Sequence, residues 1–551
     1  MRHLLHRPAA ALLAVLLAAL LAGGAARPAA AQGLEVDYEV GRLDARVTYQ
    51  LEGQPLGVVV FLPSGLAGPT PLSLVDPGDP RLLAVGLDLV AYLAIEVLDA
   101  AGQGRLGYKL TPIPALAGAP LYAQGVALSP VFPGPPVFGD LSNPTRFSLL
   151  LPGQSSLTQS PMSGPRRFHS ATTIGGGPLG SDRVFLAGGE RPNAPFAIRD
   201  DWEIYDPVFE TFAPGGSLLE RRSRHAAVGL LDGSVLLVGG IGGAAGAPLA
   251  SAERYRPQFD AVQAAGPMLH ARVEHTATRL ADGRVLVVGG FSGPYTQDDP
   301  IGYPASFLGN GLGPSLFAPQ AELYDPNSGV WTPVPSIGPR AGHAAVLLGD
   351  GSVLIAGGIV PVGPSQVGVT STCLRFDPVT LTAAPAQSLP GDRAFASMSP
   401  ALGGDALLSG GGDVTFGGPQ AIIDNATKGT LRFDTASGQW LPIANEPSTV
   451  GRAFVRCVRM EDGTIRYVRF ERPDGRVDPT SAGLGLPRVH RLDLVTGAWV
   501  LDGTLLERRP GMRLADLESK TRCLVSGAAA TALVPGANGD VSVEAYPYPV
   551  N

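Results

Sequence analysis

Hydrophobic residues along this chain gather in short runs rather than at helical spacing, and glycine, proline or Asp-Gly pairs cut each run off. Short apolar runs bounded by turn residues predict strands. The run Val235 to Val238 ends on Gly239-Gly240, and matching glycine pairs stand at Gly289-Gly290, Gly357-Gly358 and Gly410-Gly411, each 17 residues after an arginine. That arginine opens a repeat. Clear copies of an Arg-x-x-His signal are Arg166/His169, Arg222/His225, Arg272/His275 and Arg340/His343; degenerate copies follow at Arg393/Ala396, Arg452/Val455 and Arg513/Asp516. Successive arginines lie 50 to 68 residues apart, a period that suits a four-stranded unit with variable loops.

Within each copy, Asp-Gly pairs at Asp232-Gly233, Asp282-Gly283, Asp350-Gly351 and Asp462-Gly463 predict a two-residue hairpin between the first and second strands. A third run ends in an aromatic at Tyr205-Asp206-Pro207, Tyr255-Arg256-Pro257, Tyr324-Asp325-Pro326, Phe376-Asp377-Pro378 and Phe433-Asp434. Six residues past the aspartate position a second aromatic, such as Phe212, Trp331 or Trp440, marks a fourth strand. Such a meander is apolar on both faces and buries itself only by stacking on its neighbours. The last copy supplies three strands, and Leu157 to Pro161 matches the fourth-strand segments elsewhere. Seven units closed by that N-terminal strand are therefore expected. The rival is six units with a decorated C-terminus.

Residues 32–151 lack the repeat but carry β runs at Val36 to Val40, Gly57 to Leu62, Leu89 to Leu98 and Phe147 to Leu151, which predict a small antiparallel β-sandwich. Before them, Arg2, His3 and Arg7, the apolar run Ala9 to Leu21 and Ala29-Ala30-Ala31 read as a signal peptide cleaved after Ala31. The expected division is thus 1–31 signal peptide, 32–151 sandwich and 152–551 repeats, with 152–165 as closing strand. The mature chain is expected to be secreted, periplasmic or at the cell surface, monomeric, and without stable membrane insertion.

Composition adds limits. Charged residues are 16% and the net charge is -7, which excludes a polybasic nucleic-acid binder and leaves any anion site to local groups. The 73 glycines and 52 prolines fit a turn-rich all-β chain, while 45% hydrophobic residues exclude wholesale disorder. Cys373, Cys457 and Cys523 lack zinc-site spacing; one bridge, Cys457 to Cys523, is conceivable, with Cys373 free and buried.

The Arg-x-x-His signal, glycine pairs and spaced Tyr and Trp resemble the kelch repeat over about 390 residues. The resemblance implies an all-β fold, a seven-bladed kelch β-propeller preceded by the sandwich. It also implies an innermost first strand, setting Arg166, Arg222, Arg272, Arg340, Arg393, Arg452 and Arg513 around one mouth of the central channel. Two roles compete there. Guanidiniums with internal partners are structural; those without would bind an acidic glycan or acidic peptide segment. His169, His225, His275 and His343 could gather on a metal or bond the adjacent blade, and no carboxylate or cysteine recurs with them. The expectation is a non-enzymatic binding protein with no cofactor. The alternative is a carbohydrate-active propeller enzyme, either epimerase-like or a copper radical oxidase of the galactose oxidase type. The latter requires two histidines, two tyrosines and a tyrosine-linked cysteine, and the repeat pattern brings no such set together.

Overall fold

A computed structural model describes most of residues 34–148, residues 156–157, most of 162–445, and seven strands between 456 and 547; structural statements concern those residues. The signal-peptide segment lies outside them. The chain divides into two compact units, the first ending at Leu151 and the second beginning at Pro152. Both are built of antiparallel strands.

In the first unit, Glu35–Tyr38, Arg46–Glu52 and Gln103–Lys109 form a three-stranded sheet. A second sheet orders Thr145–Ser148, Pro120–Ser129, Val58–Ser64 and Ala94–Val97, with Val137–Leu141 also on Pro120–Ser129. Alternate residues of both sheets, Val36, Tyr49, Leu51, Val59, Phe61 and Ala123, enclose one apolar core. Among the described residues of the run Leu89 to Leu98, the strand is Ala94–Val97.

The second unit holds seven four-stranded sheets, counted among the described residues. In the second of them Ala226–Gly229, Val235–Val238, Ala252–Arg256 and Ala261–Ala264 follow one another as a meander. All four residues of Val235–Val238 are buried, because this strand is covered on both faces by neighbouring sheets. Its hairpin differs from the two-residue expectation. Leu230 and Ser234 still bond, leaving a three-residue loop in which only Gly233 is left-handed, at φ 79°. The outer aromatics meet across the third and fourth strands: Tyr205 opposes Phe212, Tyr324 opposes Trp331 and Phe433 opposes Trp440, with ring centroids 4.8 to 5.1 Å apart.

First strands are the elements through which successive sheets approach. Ser170–Ile174, Ala226–Gly229, Thr276–Arg279, Ala344–Leu347, Ser397–Pro400, Arg456–Arg459 and Arg513–Leu517 neighbour one another in that order, and the last neighbours the first. The last sheet orders Arg513–Leu517, Arg522–Ser526, Glu544–Pro547 and then Ser156–Leu157, so its outer strand comes from the beginning of the unit.

One repeat boundary needs correcting. In the first six sheets the first strand begins four residues after the arginine, but in the seventh it begins on Arg513 itself. Arg509 stands at the right spacing, and Arg509-Pro510-Gly511-Met512 parallels Arg340-Ala341-Gly342-His343. The motif arginine of the seventh copy is therefore Arg509.

Removing the strand that pairs with Glu544–Pro547 leaves an unpaired edge on the last sheet. Deletion of Ser155 to Pro161 should lower Tm by several degrees and promote aggregation, read by calorimetry and light scattering. An unchanged melting curve would mean that this strand contributes nothing.

Candidate functional site

Each described motif arginine lies just before its first strand and turns its side chain into its own sheet. Arg272 donates Nη1 to the Gly289 carbonyl at 2.8 Å and Nη2 to Glu322 at 2.5 Å. Arg222 does the same with Gly239 at 2.9 Å and Glu253 at 2.5 Å, and Arg166 with Gly188 at 3.3 Å and Glu203 at 2.7 Å. The glutamates also accept backbone N–H groups from the segment arriving at the arginine: Ser163 for Glu203, Leu219 and Glu220 for Glu253, and Leu269 and His270 for Glu322. One clamp thus ties together the incoming chain, the end of the second strand and the third strand. Burial depresses the Arg272 guanidinium while Glu322 opposes that shift. In the fourth and fifth sheets Leu374 and Leu431 replace the glutamates; Arg340 keeps the carbonyl of its glycine pair, Gly357, at 3.2 Å, whereas Arg393 donates to the carbonyl of Gly429 at the start of the third strand, at 3.2 Å.

These contacts overturn the cationic rim at five positions. Arg166, Arg222 and Arg272 are 0% exposed and Arg340 and Arg393 6%, so their charges are spent inside the sheets. The side chains of Arg452 and Arg513 lie outside the described residues. The glutamates were missed at the sequence level although their signal is regular: each stands two residues before the third-strand tyrosine.

The same arginines bind neighbours through their backbone. N–H groups of Gly189, Gly240, Gly290 and Gly358 donate to the carbonyls of Arg222, Arg272, Arg340 and Arg393 in the following sheet, at 2.7 to 2.9 Å. The following sheet's histidine covers the glycine pair. A Cβ on Gly239 would sit 2.8 Å from Cε1 of His275, and one on Gly289 would sit 2.9 Å from Cε1 of His343. Both glycines of each pair are left-handed, so neither the backbone angle nor the space admits a side chain. The histidines are therefore wedges between sheets. His343 Nε2 meets Thr276 Oγ1 at 2.8 Å, and burial pushes His275 down to about 3 and His343 well below the usual range.

Between arginine and histidine lies a position that the motif leaves variable: Phe168, Arg224, Glu274, Gly342 and Phe395. All five have left-handed φ, 54° to 60°, a strained conformation for every residue but glycine. They are linked from sheet to sheet. Arg224 N–H donates to Phe168 O at 2.9 Å and Phe395 N–H to Gly342 O at 2.7 Å. The Arg224 guanidinium lies 3.7 Å over the Phe168 ring, 3.3 Å from Glu274 and 3.5 Å from Glu190, which also holds Arg167 at 3.0 Å. Beneath, Ile241, Val273, Phe291, Ala341, Ile359 and Ala394 pack as one apolar cluster. Five repeats thus place four residue types on one fixed frame, phenylalanine twice and arginine, glutamate and glycine once each.

Metal-binding groups do not converge among the described residues, where no three of His, Cys, Asp and Glu are placed to hold an ion. Cys373 is free and buried. Cys457 and Cys523 have no described side chain, so their bridge lies outside the described residues, but the strand register is informative. Cys457 opposes Tyr467, and Tyr467 opposes His490, across three strands of the sixth sheet. The repeat pattern brings no tyrosine–cysteine pair together with two histidines, and the backbone register of this sheet aligns such a pair with one histidine.

No protein-family model matches this sequence. No curated protein matches it either. Among solved structures, the chain is similar to a fungal alcohol oxidase of the AA5 family in complex with copper, at 15% identity and a TM-score of 0.50. The match covers 72% of this chain and 76% of the other. At that identity the likeness concerns the fold, which is all-β and propeller-like.

Three outcomes follow from these contacts. Arg272→Gln strands Glu322 in a buried site and should cost about 3–5 kcal/mol in urea unfolding. A loss below about 1 kcal/mol would put the clamp in doubt. Because His275 titrates near 3 in the folded chain and near 6.5 when unfolded, its stabilising contribution is complete above pH 6.5 and is lost as pH falls toward 3. Stability should decline by about 1.4 kcal/mol per pH unit for each such histidine, and His275→Gln should flatten the slope; identical slopes would show that His275 is not held neutral. Glu274→Gly relieves a left-handed side chain and should leave Tm unchanged or raised, whereas a large drop would make Glu274 a structural residue.

Proposed function

We propose that the second unit is a seven-bladed propeller of the kelch type, preceded by a small β-sandwich, and that it binds a saccharide at the mouth formed by the left-handed positions. One observation carries this reading: Phe168, Arg224, Glu274 and Phe395 hold strained backbone where Gly342 would be unstrained, inside a frame of constant residues. Strain retained at variable positions of a constant frame is characteristic of ligand sites. Glu274 and Phe395 keep partial exposure. A carboxylate accepts sugar hydroxyls and a phenyl ring covers the apolar face of a pyranose. The acidic ligand expected from an arginine rim gives way to a neutral, hydroxyl-rich one. Export after removal of the first 31 residues, and a monomeric state, belong to this reading and rest on the sequence.

A second reading is a copper-dependent alcohol oxidase. Likeness in fold and the Cys457, Tyr467 and His490 row favour it, and the comparisons speak for it more than for binding alone. Its donor set does not fit the described residues. The row supplies one histidine, and rings such as those of His275 and His343 lie against glycine pairs between sheets. No reaction step follows from them.

Two measurements separate the readings. A glycan array should show neutral glycans retained by the wild type and weakened at least about tenfold by Glu274→Gly or Phe395→Gly in folded protein. Incubation with Cu(II) and desalting should leave no stoichiometric copper, and galactose or primary alcohols should release no peroxide. Stoichiometric copper with peroxide release would establish the oxidase. An array without neutral binders would remove the saccharide reading.

A further inference from the structure

The second repeat departs from its siblings at one position. Where the first, third, fourth and fifth repeats carry Asp206, Asp325, Asp377 and Asp434 after the third-strand aromatic, this one carries Arg256. In three of those siblings the aspartate closes the next turn: Asp325 accepts Asn327 N–H and Ser328 Oγ, Asp377 accepts Val379 N–H, and Asp434 accepts Ala436 and Ser437 N–H. The second sheet makes its turn differently, with a 3-10 turn at Pro257–Phe259 ended by left-handed Asp260, to which Tyr255 donates its hydroxyl proton at 3.0 Å. Residue 256 is thereby released from the turn. Its side chain lines a cleft of about 290 Å³ between the outer parts of the second and third sheets.

The cleft is cationic and polar. Its other lining groups include Arg254, Gln263, Tyr324, Asn327 and Ser328. Arg254 is committed to Ser234 Oγ at 2.7 Å, to the Pro326 carbonyl at 3.0 Å and to Asp232. Arg256 has no ion pair among the described residues, and its Nε is buried without a partner. A guanidinium facing a polar cleft without a counter-ion is suited to a planar oxyanion held by two parallel hydrogen bonds. The surrounding amide and hydroxyl groups suit a polyol.

We propose that this cleft is a binding site for the carboxylate of an acidic sugar, with Arg256 as the recognising residue. The site is separate from the mouth, and its existence does not depend on what the mouth binds.

Titration with D-glucuronate, followed by calorimetry at about 20 and 200 mM salt, tests the proposal. The wild type should bind glucuronate, more weakly at the higher salt, while D-glucose and inorganic sulfate should bind at least about tenfold more weakly. Arg256→Asp, which restores the residue of the other repeats, and Arg256→Gln should each weaken glucuronate at least about tenfold, with Tm unchanged. Asn327→Ala provides a second perturbation of the cleft and should also weaken it. Glu274→Gly should bind glucuronate as the wild type does, which keeps failure at the mouth distinct from failure here. Absence of glucuronate binding, equal binding of sulfate, or unaltered binding by folded Arg256→Gln would overturn the proposal.

Discussion

The second unit depends, in its five described copies, on an arginine placed just before the first strand. In the first three sheets its side chain joins the arriving segment to two strands of its own sheet, and the carbonyls of Arg222, Arg272, Arg340 and Arg393 accept an N–H from the glycine pair of the preceding sheet. A buried guanidinium is costly to desolvate, and burial indeed depresses Arg166 and Arg272. Glu203 and Glu322 offset that cost while satisfying backbone donors that would otherwise be orphaned. Stacked sheets, not isolated ones, are the stable outcome.

The clamp is incomplete in two sheets. In the fourth and fifth the glutamate becomes leucine, and Arg340 is buried with a glycine carbonyl and with Cys373 nearby instead of a carboxylate. The inter-sheet hydrogen bonds persist there unchanged, since Gly358 still donates to Arg393 O at 2.8 Å. Backbone registration between sheets is thus independent of the ion pair. The ion pair adds local rigidity where the incoming segment must be held.

Constant and variable positions divide the labour. Arginine, glycine pair and histidine set the spacing of neighbouring sheets, and the residue between arginine and histidine is carried along in a left-handed conformation. Its chemistry is free to change because its backbone is over-determined from both sides. Arg256 illustrates a second kind of freedom. Once an alternative turn removes the need for an aspartate cap, that position too becomes available for another use.

The sequence by itself determined the all-β class, the repeat and its strand order, since short apolar runs ending on paired glycines at constant offset permit little else. The spaced aromatics such as Tyr324 and Trp331 marked the third and fourth strands from spacing alone, and the register of those strands sets the two rings opposite each other. What the arginines do was not legible. A repeated cation can face a channel or a carboxylate, and only the third strand, folded back over the second, brings Glu253 and Glu322 to 2.5 Å of Arg222 and Arg272. The motif of the last repeat was likewise misplaced by four residues, because strand bounds rather than residue identity define the position. Left-handed backbone at Phe168, Arg224, Glu274 and Phe395 leaves no mark in residue type, and contacts made by the neighbouring sheet impose it. Tertiary structure alone therefore decided which residues are frame and which are presented.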